Sequence, residues 1–319
     1  MRNFFTKIER YLSSDSSVSF WYLPIKYPFN VDYNHPCFYY LDFSEKLRYK
    51  GPYDKNNIPM LNYKGSIGIR YNPCAIAQYG LGALFNFGKT EDHDLLNKAL
   101  LACEWLSNNL KEIDPKKQIY LWLYDFDLKE YSVKSPWASA LAQGQGISLL
   151  VRMYKLSGNE IYASKASQAF KSFHIKIEEG GLLREINEGK IYEEVPTRKL
   201  SCVLDGFIYS LLGLYDLFIF LKDFKAYKLF IEGVETLERI LPRYDLKFWS
   251  KADLYIDKPP MIASLFYHKI HIYQLKILYE LTNREIFKFY AEKWMNYLNN
   301  KFFRALAILY KSIFKIFFY

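Results

Sequence analysis

Four times along this chain an apolar helix pattern gives way, after a short break, to an amphipathic one, in a loose repeat of about 65 residues. The first unit opens at Asn72-Pro73, where Asn caps a helix and Pro suits its first turn. Its apolar helix is predicted to run to about Phe87, with Gly88 as the break. The partner covers Glu91 to Leu110 and sets Leu95, Leu96, Ala99, Leu100, Cys103 and Leu106 on one face. The second unit opens at Ser135-Pro136, runs to about Leu156, breaks at Gly158 and continues from Asn159 to Phe173. The third runs from Val203 to Leu221 with a partner from Asp223 to Leu241. The fourth runs from Tyr267 to Leu281 with a partner from Asn283 to Asn300. A helix that is apolar all round is buried, and an amphipathic one lines the outside. The expected fold is therefore mainly α, an incomplete (α/α) toroid or barrel of about four helix pairs. Inner-helix N-termini and the loops before them then gather at one rim, the default place for a site.

The loops carry strand patterns. Gln118 to Asp127 alternates, and Gly181 to Val195 reads as a hairpin turning at Asn187-Glu188-Gly189. Phe38 to Arg70 is rich in Tyr and turn residues and is expected to form a hairpin that packs on the helices. The division expected is an N-terminal extension over 1–70, a helical domain over 71–300 and an amphipathic helix over 301–319. In that tail, Lys301, Arg304, Lys311 and Lys315 fall near one face of an otherwise apolar helix. Such a helix fits an anionic membrane surface, a homodimer contact, or closure of the toroid.

The net charge of +9 concentrates anions at the surface. Nucleic acid is not expected as a partner, because no recognition motif occurs and the basic residues are scattered. The 29 Tyr and 25 Phe suit sugar stacking, and they equally fit an AT-rich coding bias. Cys37, Cys74, Cys103 and Cys202 form no CxxC pair and read as reduced, mostly buried thiols. Arg2, Lys7, Glu9 and Arg10 precede a serine-rich stretch, and Phe20 to Leu23 is too short for a signal-peptide core. No run approaches a membrane span. A cytoplasmic location is expected, at most peripheral to the inner membrane face.

Chemistry can lie at the end of the second hairpin, in Ile191-Tyr192-Glu193-Glu194-Val195. Strand alternation sends Tyr192 and Glu194 to one side and Glu193 to the other, so one carboxylate faces a cleft unless the whole edge is solvated. His268 and His271 are three apart on one helix face. No third ligand is evident, so no metal is expected, and the pair reads as core or hydrogen-bonding histidines. Gly144 and Gly146 lie inside a helix, not after a strand. They serve close packing or close sugar approach rather than a phosphate loop.

Four ordered blocks carry a family resemblance: YNPCAIAQYGLGALF (71–85), WASALAQGQGISLLVRMYKL (137–156), EEVPTRKLSCVLDGFIYSLLGLYDL (193–217) and YHKIHIYQLKIL (267–278). Over about residues 35–300 the chain resembles the D-glucuronyl C5-epimerases, in the compact prokaryotic form that lacks the extra β-barrel of animal members. The resemblance implies an incomplete (α/α) barrel that converts D-glucuronate to L-iduronate within a polymer such as heparosan, with no redox cofactor. It puts proton transfer on Glu194 and on a facing Tyr267. Tyr192, Gln143, Gln145, Arg198, His268, His271 and Asp253 then become candidates for binding the acidic polysaccharide, with Arg198 and the two histidines also candidates to stabilise an enolate. Two positions depart from the family pattern: Val195 stands where EEYPT has Tyr, and Ala252-Asp253-Leu254 stands where Tyr-Asp-Leu is usual. Tyr244-Asp245-Leu246 is an alternative alignment for the second. Two further readings stay open, a uronate lyase and a catalytically impaired glycan-binding protein.

Overall fold

Inner and outer helices alternate in a computed structural model that describes residues 19–318 apart from Lys64 and Lys258. Arg2, Lys7, Glu9, Arg10 and the serines after them lie outside the described residues, as does the side chain of Lys315. The pairs are α1 (Pro73–Thr90) with α2 (His93–Asn109), α3 (Ala140–Ser157) with α4 (Glu160–Lys171), α5 (Leu204–Leu221) with α6 (Phe224–Ile240), and α7 (Leu265–Thr282) with α8 (Glu285–Asn299). Helix α9 (Lys301–Phe318) follows. Each of α1, α3, α5 and α7 packs on the next in that order, and each carries its outer partner. The fold is thus mainly α, an open (α/α) toroid.

The inner helices run parallel to one another. Cys74 and Gly80 of α1 face Gln145 and Leu149 of α3, and Gly144 and Arg152 of α3 face Ser210 and Asp216 of α5. A β-carbon on Gly144 would lie 2.7 Å from the Tyr209 carbonyl oxygen, and one on Gly213 would lie 2.3 Å from the Gly144 carbonyl oxygen. Backbone meets backbone there, so the glycines of the AQGQ segment serve packing. Side-chain caps start several helices: Asn72 accepts from Ala75 N–H, Asp223 from Lys225 and Ala226 N–H, and Ser264 from Tyr267 N–H. Each such cap stabilises by about 1 kcal/mol.

Two expected boundaries differ. Ser135-Pro136 has a cis peptide and leads into a strand, and the helix begins at Ala140. Ser-Pro marks turns as well as helix starts, and only the tertiary pairing separates the two. Gly88 does not break α1, which ends at a left-handed Glu91. A β-carbon on Gly88 would lie 2.5 Å from Cys37 Cβ, so this glycine admits the 37–38 segment. Helix α5 is, by length and composition alone, apolar enough to cross a membrane. It is 72% buried as an inner helix of the toroid, which is where its hydrophobicity is used.

Among the described residues, four antiparallel strand pairs occupy the loops: β1 (Met60–Asn62) with β2 (Ile69–Tyr71), β3 (Lys111–Asp114) with β4 (Ile119–Leu121), β5 (Leu123–Tyr124) with β6 (Trp137–Ala138), and β7 (Leu183–Ile186) with β8 (Gly189–Tyr192). The N-terminal hairpin is shorter than the Phe38–Arg70 stretch expected. Before it the chain makes a short helical turn over Ser44–Arg48 and a bridge between Lys26 and Asp42. Arg152 holds this region down, donating to the carbonyls of Tyr33, His35 and Phe38. All four cysteines are free and buried.

Helix α9 buries Ala307 and Phe314 and leaves Phe302, Leu309, Ile313, Ile316 and Phe317 exposed. Lys311 does not join the cationic face expected of the tail. It turns inward and donates to the Ile262 carbonyl, while Tyr310 donates to that of Pro260.

Candidate active site

The β7–β8 hairpin aims one glutamate inward by anchoring its neighbour. Glu193 is buried and accepts from Arg184 Nε at 2.8 Å, Ser201 N at 3.2 Å, Ser201 Oγ at 2.6 Å and Cys202 N at 2.8 Å. Arg184 also donates to the Thr197 carbonyl. These bonds fold residues 193–202 back on the hairpin and present Glu194 to the N-terminal end of α5. A β-carbon on residue 206 would fall 2.0 Å from Glu194 Oε2, so the space for this carboxyl exists because residue 206 is glycine. Oε2 is buried and has no hydrogen-bond partner among the described residues.

Several titratable groups converge on it. Burial pushes the Glu194 carboxyl well above the usual carboxylate range, and the neighbouring carboxyls of Asp205, Asp253 and Glu193 push it the same way when ionised. Tyr267, in the first turn of α7, is held well above an ordinary phenol by burial, then by Asp205, Tyr22 and Glu194. Lys46 is fully buried and bonded to the Phe20 carbonyl, and it pins the segment that brings Tyr22 to this wall. Burial lowers its amine to about 7. Glu194, Asp205, Tyr267 and Cys74 all belong to the N-terminal rim of the inner helices, where helix dipoles present partial positive charge. The rim expected from the repeat is the one that collects them. Behind it the inner helices hold further buried polar atoms without partners: Gln78 Oε1, Gln145 Nε2, Tyr209 OH, His271 Nε2 and Gln274 Oε1. Buried polar groups of this kind are ordinarily satisfied, so these inner-helix atoms leave the rim a polar lining with hydrogen-bonding capacity to spare.

Residues 116–296 match the family model described as D-glucuronyl C5-epimerase C-terminus. The chain belongs to this family. Within 180 residues it is 36% identical to a D-glucuronyl C5-epimerase of Caenorhabditis elegans, over 52% of this chain and 29% of the nematode protein. It spans less than a third of that relative's length. It is 27% identical over 264 residues to an uncharacterized protein of Methanocaldococcus jannaschii, covering 76% of this chain and 84% of the archaeal one. Among solved structures, a family 76 glycoside hydrolase from a bovine Bacteroides thetaiotaomicron strain aligns with a TM-score of 0.42 and 15% identity, over 74% of this chain and 43% of that one. At that level nothing about a site or a substrate passes between the two.

The remaining residues expected around the site of this C5-epimerase family member are found in different places. Asp253 lies at the rim, accepting from Tyr131 OH at 2.7 Å and Tyr255 N at 3.2 Å, in a shallow recess shared with Glu130, Met261 and Phe314. Tyr192 does not share a face with Glu194. The strand ends at Tyr192, alternation ends with it, and the ring packs on Phe173 and Phe207 while its hydroxyl donates to the Leu229 carbonyl. Gln143 is fully buried and ties α3 to the Tyr120 and Ala169 carbonyls, so none of it is left for a sugar. Gln145 accepts from Cys74 and Gln78 and keeps a free Nε2. Arg198 is exposed on the loop beyond Pro196.

His268 and His271 are fully buried behind the lining and meet at Ser250 Oγ, 2.7 and 2.9 Å away. They contact the site through other groups rather than through a ligand. Val195 is buried in the loop that Glu193 anchors, and Ala252 accepts from Leu204 N at the start of α5. Neither brings a phenol, but Tyr131 brings one to Asp253 from another position, with the Tyr255 ring packed on its own. Asp205, Gly206 and Ser250 escaped the sequence reading. The available signal was an acidic residue followed by glycine in the first turn of an otherwise wholly apolar helix.

Proposed function

We propose that this chain is a uronate C5-epimerase, converting D-glucuronate to L-iduronate units within an acidic polysaccharide of heparosan type. The observation that carries this reading is the buried, unpartnered Glu194 Oε2, set on the same rim as Tyr267. The hydrogen at C5 is α to a carboxylate and only weakly acidic. Its removal needs a base stronger than an ordinary carboxylate, and burial, the largest influence on its carboxyl, makes Glu194 one. A phenol held well above its usual range stays protonated, so Tyr267 is the donor for the opposite face of the ring. Inner-helix N-termini favour the negative charge that builds on the carboxylate between the two steps. Residues of this chain thus supply the base, the acid and the electrostatic support.

Incubation with heparosan in deuterated water is expected to place deuterium at C5 and yield iduronate. Glu194→Gln and Tyr267→Phe should each abolish the incorporation. An unsaturated uronate, detected by its ultraviolet absorbance, would assign lyase chemistry instead. Tight polymer binding without exchange, with exchange gained on restoring tyrosine at positions 195 and 252, would identify an impaired glycan-binding protein.

A further inference from the structure

Behind Asp205 lies a buried chain of hydrogen bonds whose direction can be worked out from its far end. The Trp294 carbonyl can only accept, so His268 Nε2, 3.0 Å away, carries a proton. Burial lowers His268 to about 3, which keeps its ring neutral and leaves Nδ1 as an acceptor. Ser250 Oγ at 2.7 Å and Ser250 N at 3.4 Å both face that Nδ1 as donors. A hydroxyl has one hydrogen, so Ser250 Oγ must accept from its other neighbour, His271 Nδ1, at 2.9 Å. His271 therefore has its proton on Nδ1. Its Nε2 is left as a lone pair, fully buried, without a hydrogen-bond partner, and 3.9 Å from Asp205 Oδ1.

A lone pair and a carboxylate oxygen do not face each other in a dry interior without a proton between them. We propose that Asp205 and His271 hold that proton as a buried store, so that Asp205 is neutralised and Glu194 is left free to take the proton from the sugar. This rests on the epimerase reading above. The proton sits on the Asp205 carboxyl or on His271 Nε2, and either arrangement gives the pair no net charge. If His271 could not accept, Asp205 and Glu194 would be two adjacent carboxylates, and one would have to hold the proton itself. The chain is closed at the Trp294 carbonyl, which cannot pass a proton on. It is a store rather than a wire, and a proton leaves it only toward Asp205.

The other groups facing Glu194 and Asp205 do not replace the pair. Cys74 from α1, Tyr124 from β5, and Tyr209 and Tyr267 from α5 and α7 are neutral, each raised first by burial. Asp253 is engaged by Tyr131, and Glu193 by Arg184. Asp205 and His271 thus act as positioning residues, through Glu194.

Nitrogen-15 NMR of histidine-labelled protein tests the store without turnover. His271 should show the Nδ1–H tautomer and His268 the Nε2–H tautomer. In Asp205→Asn, the His271 Nε2 nitrogen-15 resonance should move, with the His268 resonances unmoved as the folding control. A His271 Nε2–H tautomer in the neutral ring, or no movement in that variant, overturns the proposal. The link to Glu194 is read from C5 deuterium exchange against pH on heparosan. His271→Gln, which leaves Asp205 charged, should raise the acid limb by about one unit, and Asp205→Asn should leave it in place. The His271→Gln shift should vanish when Asp205 is already Asn. Equal limbs in all variants overturn the link. If the wild-type protein exchanges no C5 hydrogen, the epimerase reading falls, while the NMR result still decides whether the store exists.

Discussion

The toroid buries charge at both ends of its inner helices and treats the two ends oppositely. Toward the C-terminal ends, Arg152 and Asp216 are both fully buried. All five guanidinium N–H groups are used: two on Asp216, at 2.9 and 2.7 Å, and three on the carbonyls of Tyr33, His35 and Phe38. Tyr40 OH adds a bond to Asp216 at 2.7 Å. Toward the N-terminal ends, Glu194, Asp205 and Tyr267 are brought together, and Oε2 of Glu194 is unbonded among the described residues. A charge cluster with every partner supplied holds a fold in one geometry. One left incomplete keeps interaction capacity for something that arrives later. The same helices carry both, so the difference lies in the loops each end receives.

Three substitutions and one pH profile bear on that contrast. The largest effect is expected at the incomplete end, where Glu194→Gln should cut C5 exchange by about 10³–10⁴-fold with an unchanged urea midpoint. Next, Asp216→Ala strands a buried guanidinium and should cost about 3–5 kcal/mol, read by denaturant unfolding, while exchange in the folded fraction stays near wild type. A midpoint change in the first, or lost exchange in the second, would break the division between the ends. Gly206→Ala sets a methyl against Glu194 Oε2, and displacing the carboxyl should lower exchange by about 10²-fold with a smaller loss of stability. The smallest effect is a displacement along the pH axis. Glu194 must be ionised to act as a base, and burial raises it, so exchange should fall on acidification at a pH above the ordinary carboxylate value of about 4.3. An acid limb at that ordinary value would mean that the carboxyl is solvated in use.

The helices were legible because burial leaves a periodic trace. An inner helix such as Leu204–Leu221 is apolar throughout, and its outer partner Phe224–Ile240 is apolar on one side. Glu194 and Tyr267 were legible through motifs. Periodicity could not reach the loops. Strand alternation carried Tyr192 to the side of Glu194, but the strand stops at Tyr192 and Glu193 then bends the chain onto Ser201 and Cys202. The histidine pair was visible as a shared helix face, yet its meaning lies in Ser250, 18 and 21 residues away along the chain. Hydrogen-bond direction is a property of assembled groups, and no local pattern encodes it.

The guanidinium clamp sets a limit on how this protein can be cut. The family match begins at residue 116 and ends at 296. The three carbonyls that saturate Arg152 belong to residues 33–38, and Cys74 and Gln78 of the site wall belong to α1. A fragment trimmed to the matched residues would keep Arg152 and Glu194 but expose one flank of α3 and leave three buried donors without acceptors. The unit shared across the family by sequence is therefore smaller than the unit that folds. A minimal version of this protein has to begin upstream of Tyr33.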